Sequence, residues 1–341
     1  MARPQLFVNR LFGSQRVTGQ QRYASEVAHL LLSRPGVVPL DLPSALRSSS
    51  AAHLWAHTLL PLKSGAVPLL SMTARSPMFA RRHTVVVHDL FPLTHPEWYT
   101  RRYIATHAPV LAAQLRNATC LAAVSQPVAD QVRERYSDKI VIVAPNAPSP
   151  QFSVSASAEK YIDAGDTSSY ILAVGSLDPR KNFRGLVDAY TGLPDHFRRS
   201  HPLWIVGGRA SSYASAGVNV AGDRDIRTLG YVTDGQLATL YRHAAAVVVP
   251  SLDEGFGLPI VEALMSRAHV LASDIPVFRW VAGSAVSYFD PLSLTEMRRA
   301  ILDAVASPKP LVSKAVDAQY IADRFSWTDT AELLFQAATR H

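Results

Sequence analysis

Short apolar runs alternate with amphipathic stretches along the whole chain, and the alternation starts twice. In the first series "QLFVNR", "HTVVVHD", "CLAAVS" and "KIVIVAPN" read as strands, with helical patterns such as "GQQRYASEVAHLLLSR" and "QPVADQVRERY" between them. After "PNAPSPQFSVSASAEKYIDAGDTSS" the series restarts with strands "YILAVGS", "PLWIVGG", "RTLGYV", "AAVVVPS" and "HVLASD", separated by helices such as "NFRGLVDAYTGL" and "DGQLATLYRHA". Strand–helix alternation demands parallel sheets with right-handed crossovers. The Pro/Ser/Ala-rich stretch 145–168 is the linker the pattern predicts. A chain of 341 residues also exceeds one ordinary core. The expected fold class is therefore α/β, with two doubly wound domains and a cleft between them. At 48% apolar and 18% charged residues, the composition supports buried sheets and argues against disorder.

Several function classes fall away. A single cysteine, Cys120, excludes an internal disulfide and suits a reducing compartment; its apolar strand makes it inert core. The start "MARPQLFVNRLFG" carries no signal-peptide core, and no apolar run nears the ~20 residues of a spanning helix. The expectation is a cytoplasmic protein, soluble or peripheral at the inner face of a membrane. Residues 1–150 hold 16 Lys and Arg against 7 Asp and Glu, a net +9, while the remainder holds 18 against 20, a net −2. Pairs such as Arg81-Arg82 and Arg101-Arg102 form either a solvated basic surface or a match for anionic head groups or a phosphorylated substrate. The basic residues are dispersed and carry no aromatic-basic or zinc-finger pattern, so nucleic acid is not an expected partner. H-E-x-x-H, a zinc-spaced Cys/His cluster and G-x-S-x-G are all missing from the sequence. "VGGRA" at 206–210 lacks the third glycine of a dinucleotide fingerprint. "DRD" at 223–225 formally fits a metal motif, but its flanks read as a loop before a strand.

Ligands of doubly wound sheets bind at the carboxyl ends of strands. Strand "YILAVGS" ends at Gly175 and runs into Arg180 and Lys181, with Asn182 placed to cap the helix from Phe183. Two cations there fit a diphosphate clamp, or else an exposed basic turn. The stretch "VVVPSLDEGFGLPIVEALMSR" is more specific. A buried strand ends at Ser251, a glycine loop follows, and Pro259 falls in the first turn of a helix. Gly255 and Gly257 let the backbone approach a ligand and offer N–H donors to phosphate. Glu254 and Glu262 flank that turn, and a carboxylate accepts paired hydrogen bonds from a vicinal diol. One molecule carrying a sugar, a diphosphate and a ribose would use every part of the stretch. The plain alternative is a helix start with acids complementing its dipole. Taken alone, His88 divides between a strand-end structural histidine and a site residue; Asp89 is read as ordering its own loop, and Trp327 as anchoring the last helix.

"PSLDEGFGLPIVEAL" resembles the E-x7-E signature of the retaining family-4 glycosyltransferases, and "AVGSLDPRKN" resembles the donor loop of that family. "TLGYVTDGQLATLYRHAAAVVVPS", "TGQQRYASEVAHLL", "VVVHDLFPLTHPEWY", "AAVSQPVADQV", "IVAPNA" and "FSWTDTAELLFQA" resemble further parts, so the likeness spans nearly the whole chain. It implies the GT-B architecture of two Rossmann-like domains facing across a cleft: 1–150 for the acceptor, 151–320 for the nucleotide sugar, and 321–341 as a C-terminal helix crossing back to the first. Residue by residue, it implies that Gly175, Ser176, Arg180 and Lys181 meet the donor diphosphate and Glu262 the ribose. Glu254 would hold the donor sugar, and the amides of Gly255, Phe256, Gly257 and Leu258 would face phosphate and sugar. His88 would stand beside the transferred sugar, so that His88, Lys181 and Glu254 are the catalytic candidates. Gly19, Arg22 and Tyr23 would line the acceptor side, the last two at its rim. Two departures stand out: Ser176 replaces the Arg or Thr of many relatives, and "PNAPSP" replaces "PNGV".

The chemistry so implied needs neither metal nor other cofactor. Fixed cations and helix N-termini stabilise the departing nucleoside diphosphate. The acceptor hydroxyl attacks on the same face and the leaving phosphate takes its proton. GDP-mannose is the expected donor, and a polysaccharide or lipid-linked oligosaccharide at an anionic membrane surface the expected acceptor. A nucleotide-sugar 2-epimerase on the same architecture and a non-catalytic scaffold are the alternatives. An NAD-dependent oxidoreductase fails for want of G-x-G-x-x-G.

Overall fold

A computed structural model describes residues 4–14, 19–43, 49–153, 169–208, 212–215 and 223–340. They fall into two compact units. The first takes the described residues of Met1–Pro96, Arg101–Asn146 and Ser326–His341, the second those of Glu97–Thr100 and Ala147–Phe325.

The strands of the first unit are β1 (Leu6–Asn9), β2 (Val37–Leu40), β3 (Leu69–Ser71), β4 (His83–Val87), β5 (Cys120–Ala123) and β6 (Ile140–Val143). They form one parallel sheet in the order β2-β1-β3-β4-β5-β6. Its helices are α1 (Gly19–Leu32), α2 (Ser49–Ser64), α3 (Phe91–Thr94), α4 (Arg101–Asn117) and α5 (Gln126–Arg135). The second unit carries β7 (Ile171–Val174), β8 (Leu203–Val206), β9 (Ile226–Gly230), β10 (Ala246–Val249), β11 (Val270–Ser273) and β12 (Ser287–Phe289), again all parallel, in the order β12-β11-β10-β7-β8-β9. Around them lie α6 (Phe183–Thr191), α7 (Asp195–Ser200), α8 (Asp234–His243), α9 (Leu258–Met265), α10 (Pro276–Ala282), α11 (Leu294–Ala306) and α12 (Leu311–Arg324). The last helix, α13 (Trp327–Arg340), returns to the first unit. There Arg34 pairs with Glu332 at 2.7 Å, and Thr330 Oγ1 donates to the Pro145 carbonyl at 2.7 Å.

Every residue of the central strands β5 and β10 is buried, as strands covered on both faces require. Burial pushes the Cys120 thiol up to about 11, so this cysteine is protonated core. In each sheet the strand order turns round once, between β1 and β3 in the first and between β7 and β10 in the second. A crevice opens at such a point because the crossovers leave to opposite sides.

The sequence pattern omitted three strands. β2 carries Pro39 and lies at a sheet edge, where a missing N–H is tolerated. β3 and β12 have three residues each, too few for a periodicity to register. The division between units falls after Asn146 rather than after 150. The stretch expected as a linker is partly structural: Pro150–Phe152 forms a 3₁₀ turn whose Phe152 is fully buried against Tyr241, ring centroids 6.1 Å apart. Residues 154–168 of that stretch lie outside the described residues, as do Thr18, Arg209 and Ala210. Residues 97–100 pack with the second unit, where Tyr99 stacks on Tyr213 at 4.9 Å. Residues 321–325 stay in the second unit as the end of α12 and its C-cap.

The ends of β7 and β8 come so close that one position admits no side chain. A Cβ on Gly207, whose φ is +133°, would stand 1.9 Å from the Gly175 carbonyl oxygen. Gly207→Ala is therefore expected to cost about 2–5 kcal/mol through strain and overpacking. The check is a thermal melt, with a drop of roughly 10 °C expected for a unit of this size.

Candidate functional site

Two loops meet at the point where the second sheet turns round. One leaves β7 and runs through Gly175 to Asn182; the other leaves β10 and runs through Ser251 to Gly257. The Leu252 N–H donates to the Arg180 carbonyl at 2.8 Å, which ties the two together.

Their side chains converge on Glu254, only 6% exposed. Arg180 Nη1 donates to Glu254 Oε2 at 2.6 Å, and Lys181 Nζ and Ser251 Oγ both donate to Oε1, the serine at 2.9 Å. Burial pushes the Glu254 carboxyl up, but Arg180, then Lys181, and the hydrogen bonds from Lys181 and Ser251 outweigh it. They hold it below the usual carboxylate range, so Glu254 is an anion. Behind Arg180 lies Asp178, fully buried, its Oδ1 3.6 Å from Arg180 Nε and its Oδ2 taking a 2.5 Å hydrogen bond from Ser176. The cluster holds two cations and two carboxylates, and they cancel. An incoming anion would find both cations desolvated and already aligned.

The turn into α9 is a steric design. Gly257 caps the helix with φ +100°, and a Cβ there would meet Phe278 at 2.8 Å. Phe256 is spent on packing: it is buried edge-on against Trp280 and Phe325. That leaves its backbone, with those of Gly255, Gly257 and Leu258, as the part that can face a ligand. Glu262 sits one turn into α9, 7% exposed, and receives the Tyr241 hydroxyl at 3.3 Å. The structure thus gathers Ser176, Arg180, Lys181 and Glu254 into one network with Gly175 against the lysine stem, and holds Glu262 apart from it on the helix.

In the first unit, His88 follows β4. Its Nε2 lies 2.9 Å from the Met72 carbonyl at the end of β3, so that nitrogen carries the proton. Burial lowers the His88 pKa to about 4, against a smaller upward push from that carbonyl. Asp89 does order its own loop, accepting the Phe91 N–H at 3.2 Å. Gly19 is the exposed first residue of α1, and Arg22 is half-buried on the same helix.

Two sequence expectations need correction. Tyr23 was expected at a rim; it is 0% exposed, because α1 turns that face inward and its hydroxyl is satisfied by the Ala144 carbonyl at 3.0 Å. Asn182 was expected to cap α6 with its side chain. It occupies the cap position in the left-handed region, φ +52°, and its side chain donates instead to the Pro291 carbonyl at 2.9 Å. The sequence reading missed Asp178, Ser251 and Tyr241 as supports. A serine closing a buried strand three residues before the acid, and an acid two residues before the arginine, were the available signals. Asp223 and Asp225 of "DRD" face Arg198 at 3.9 and 3.7 Å, a structural arrangement.

Comparison with known proteins identifies the family and the fold. Residues 158–319, which contain the whole ion cluster, match the family Glycosyl transferases group 1. O-antigen chain mannosyltransferase B of Escherichia coli is 30% identical over 260 residues, covering 72% of this chain and 67% of that protein. The serotype-specific mannosyltransferase WbdA of Escherichia coli is 29% identical over 273 residues, covering 75% of this chain; this chain spans only about a third of WbdA, 33%. In three dimensions the chain resembles WaaG, described as a glycosyltransferase involved in lipopolysaccharide biosynthesis, with a TM-score of 0.73 at 14% identity over 98% of this chain and 100% of that one. Its two parallel six-stranded sheets with flanking helices are those of the GT-B glycosyltransferases.

The ion cluster sets a pH dependence by itself. A carboxyl whose pKa is lowered by folding stabilises the protein above its unfolded value near ~4.3, and that stabilisation is lost as pH falls through the folded value. Acid unfolding of wild type should therefore show a limb below about pH 4.3 that Glu254→Gln flattens. Lys181→Met, which leaves a buried anion short of a partner, should cost about 3 kcal/mol near neutral pH. Denaturant melts across pH check both.

Proposed function

The chain belongs to the group 1 glycosyl transferases, and from that premise we propose that it transfers a mannosyl group from a nucleotide sugar, GDP-mannose first among them, to a glycan or lipid-linked oligosaccharide acceptor with retention of anomeric configuration. The observation that carries this reading is the pair of desolvated cations, Arg180 and Lys181, held on Glu254 where the second sheet turns round. Breaking a sugar–phosphate bond places negative charge on the departing diphosphate. Two pre-aligned cations meet that charge by shifting part of their hold from Glu254, which lowers the barrier rather than only tightening binding.

In this reading the residues divide the donor among them. Arg180 and Lys181 exchange part of their hold on Glu254 for the diphosphate, with the backbone of Gly175 and Ser176 alongside. The freed Glu254 oxygens accept hydrogen bonds from sugar hydroxyls. Glu262, lowered into α9 with one oxygen on Tyr241, accepts from the ribose diol. The amides from Gly255 to Leu258 face the phosphate and sugar. The acceptor O–H adds to the anomeric carbon as the carbon–phosphate oxygen bond breaks, and its proton passes to the leaving phosphate. His88, neutral at working pH, offers an acceptor nitrogen to the transferred sugar, and Gly19 and Arg22 contribute to the acceptor side. The charge-neutralising work falls to side chains, so no metal ion or other cofactor is required.

The named activities of the matched relatives support mannose and O-antigen-type glycans. The net +9 of residues 1–150 supports an acceptor presented at an anionic, cytoplasmic membrane face. Among the described residues no helix is long and apolar enough to cross a membrane.

The test is a melting panel with GDP-, UDP-, ADP- and dTDP-sugars, followed by transfer assays with the one that binds. A donor at ~100 times its Kd adds roughly 2.7 kcal/mol, a rise of about 5 °C or more. One nucleotide class should give that rise, and Glu262→Ala should abolish it. Lys181→Ala should lower kcat by about 10²–10³-fold with EDTA without effect on wild type. Donor consumption without acceptor, or no response to any nucleotide sugar, would overturn the proposal.

A further inference from the structure

We infer that Tyr23 is a positioning residue for His88, and that the C-terminal helix joins the same device through Trp327. The inference rests on the reading of His88 as a residue of the transfer site. Its evidence is three rings packed edge to face in sequence. Tyr23 stands against His88 with centroids 5.2 Å apart and planes at 88°, and Trp327 stands against Tyr23 at 5.6 Å and 80°.

The two inner rings are each fixed by a hydrogen bond to the backbone. His88 is tethered at Nε2 by the Met72 carbonyl, 2.9 Å away. A carbonyl only accepts, so the proton sits on Nε2 and the neutral ring keeps its lone pair on Nδ1. Rotating the ring by half a turn would exchange that lone pair for a carbon. The Tyr23 ring packed against His88 opposes such a rotation. Tyr23 is itself pinned, because its hydroxyl donates to the Ala144 carbonyl at 3.0 Å, just past β6. The next carbonyl along, that of Pro145, receives Thr330 Oγ1 from α13. Helices α1 and α13 thus grip one strand end and close on the same ring stack.

Trp327 shows what the stack is for. It is 9% exposed, and its indole Nε1 is buried without a hydrogen-bond partner among the described residues. A buried donor left unsatisfied is destabilising. The indole is therefore held for its shape, as the outer wall behind Tyr23. His88 itself stays half-buried, and the packing on this side favours its neutral form.

The test reads His88 directly. Histidine-labelled protein is titrated by NMR, with the His88 signal assigned by its loss in His88→Gln, and kcat and donor KM are measured beside it. In Tyr23→Leu the His88 midpoint should rise from about 4 toward the ordinary histidine value of ~6.5. Its kcat should fall by about 10- to 100-fold at unchanged donor KM. Tyr23→Phe keeps the ring and should retain both the low midpoint and most of kcat. If Tyr23→Leu does not fold, Trp327→Leu, one ring further out, should shift the midpoint in the same direction by less. A low His88 midpoint that survives loss of the Tyr23 or Trp327 ring would overturn the inference. So would a Tyr23→Phe variant as impaired as Tyr23→Leu. The titration needs no substrate, so it decides on Tyr23 even if no sugar transfer is found.

Discussion

A carboxylate with 6% exposure is tolerable only in company, and Glu254 has two cations and a serine hydroxyl on its two oxygens. Taking such an ion out of water costs several kcal/mol, and its partners' attraction returns that only when the geometry is good. Good geometry in turn needs the loops after β7 and β10 side by side. The backbone bond from Leu252 to Arg180 and the αL turn at Gly257 secure this. Asp178 extends the logic outward: it sets the direction of Arg180 and is itself set by Ser176. The network is neutral as a whole. A ligand that enters it must bring charge to exchange, and a neutral sugar alone has nothing to offer the two cations. Under the proposed reaction, discrimination for a diphosphate would begin with electrostatics before any base or sugar is read.

The fold was legible in the sequence wherever a strand was long and central. β4, β5, β7 and β10 announce themselves as continuous apolar runs because both their faces are covered. β2, β3 and β12 did not, since an edge strand with a proline and strands of three residues carry too little pattern. Phe152 was hidden for a different reason. Its neighbours are Pro, Ser and Gln, so composition marked a linker while a single aromatic side chain was anchoring the segment beneath α8 and α9.

The site was legible in its chemistry and less so in its mechanics. The spacing of Glu254 and Glu262 around a glycine turn, and the adjacent Arg180 and Lys181, could be singled out as candidates from the sequence, with their roles implied by the family resemblance. That Glu254 would spend both oxygens on those same cations could not, because the sequence separates them by more than seventy positions. Tyr23 failed for the opposite reason. The family resemblance set it at a rim, and only the helix phase, which buries Tyr23, Ala24, Val27, Ala28 and Leu31 together, reveals the inward face. Asn182 likewise has the right identity for a helix cap, but an asparagine also tolerates a left-handed backbone, and here that property decided its conformation.

The placement of α13 has a consequence for how the chain is made. Its residues complete the first unit, although the whole second unit precedes them in the sequence. Emerging from a ribosome, the second unit is finished while the first still lacks the wall behind Tyr23. Domains usually mature in the order of their synthesis, and this connectivity inverts that order. The nascent first unit must wait, with the apolar groove that will receive Trp327, Ala331 and Leu334 still open.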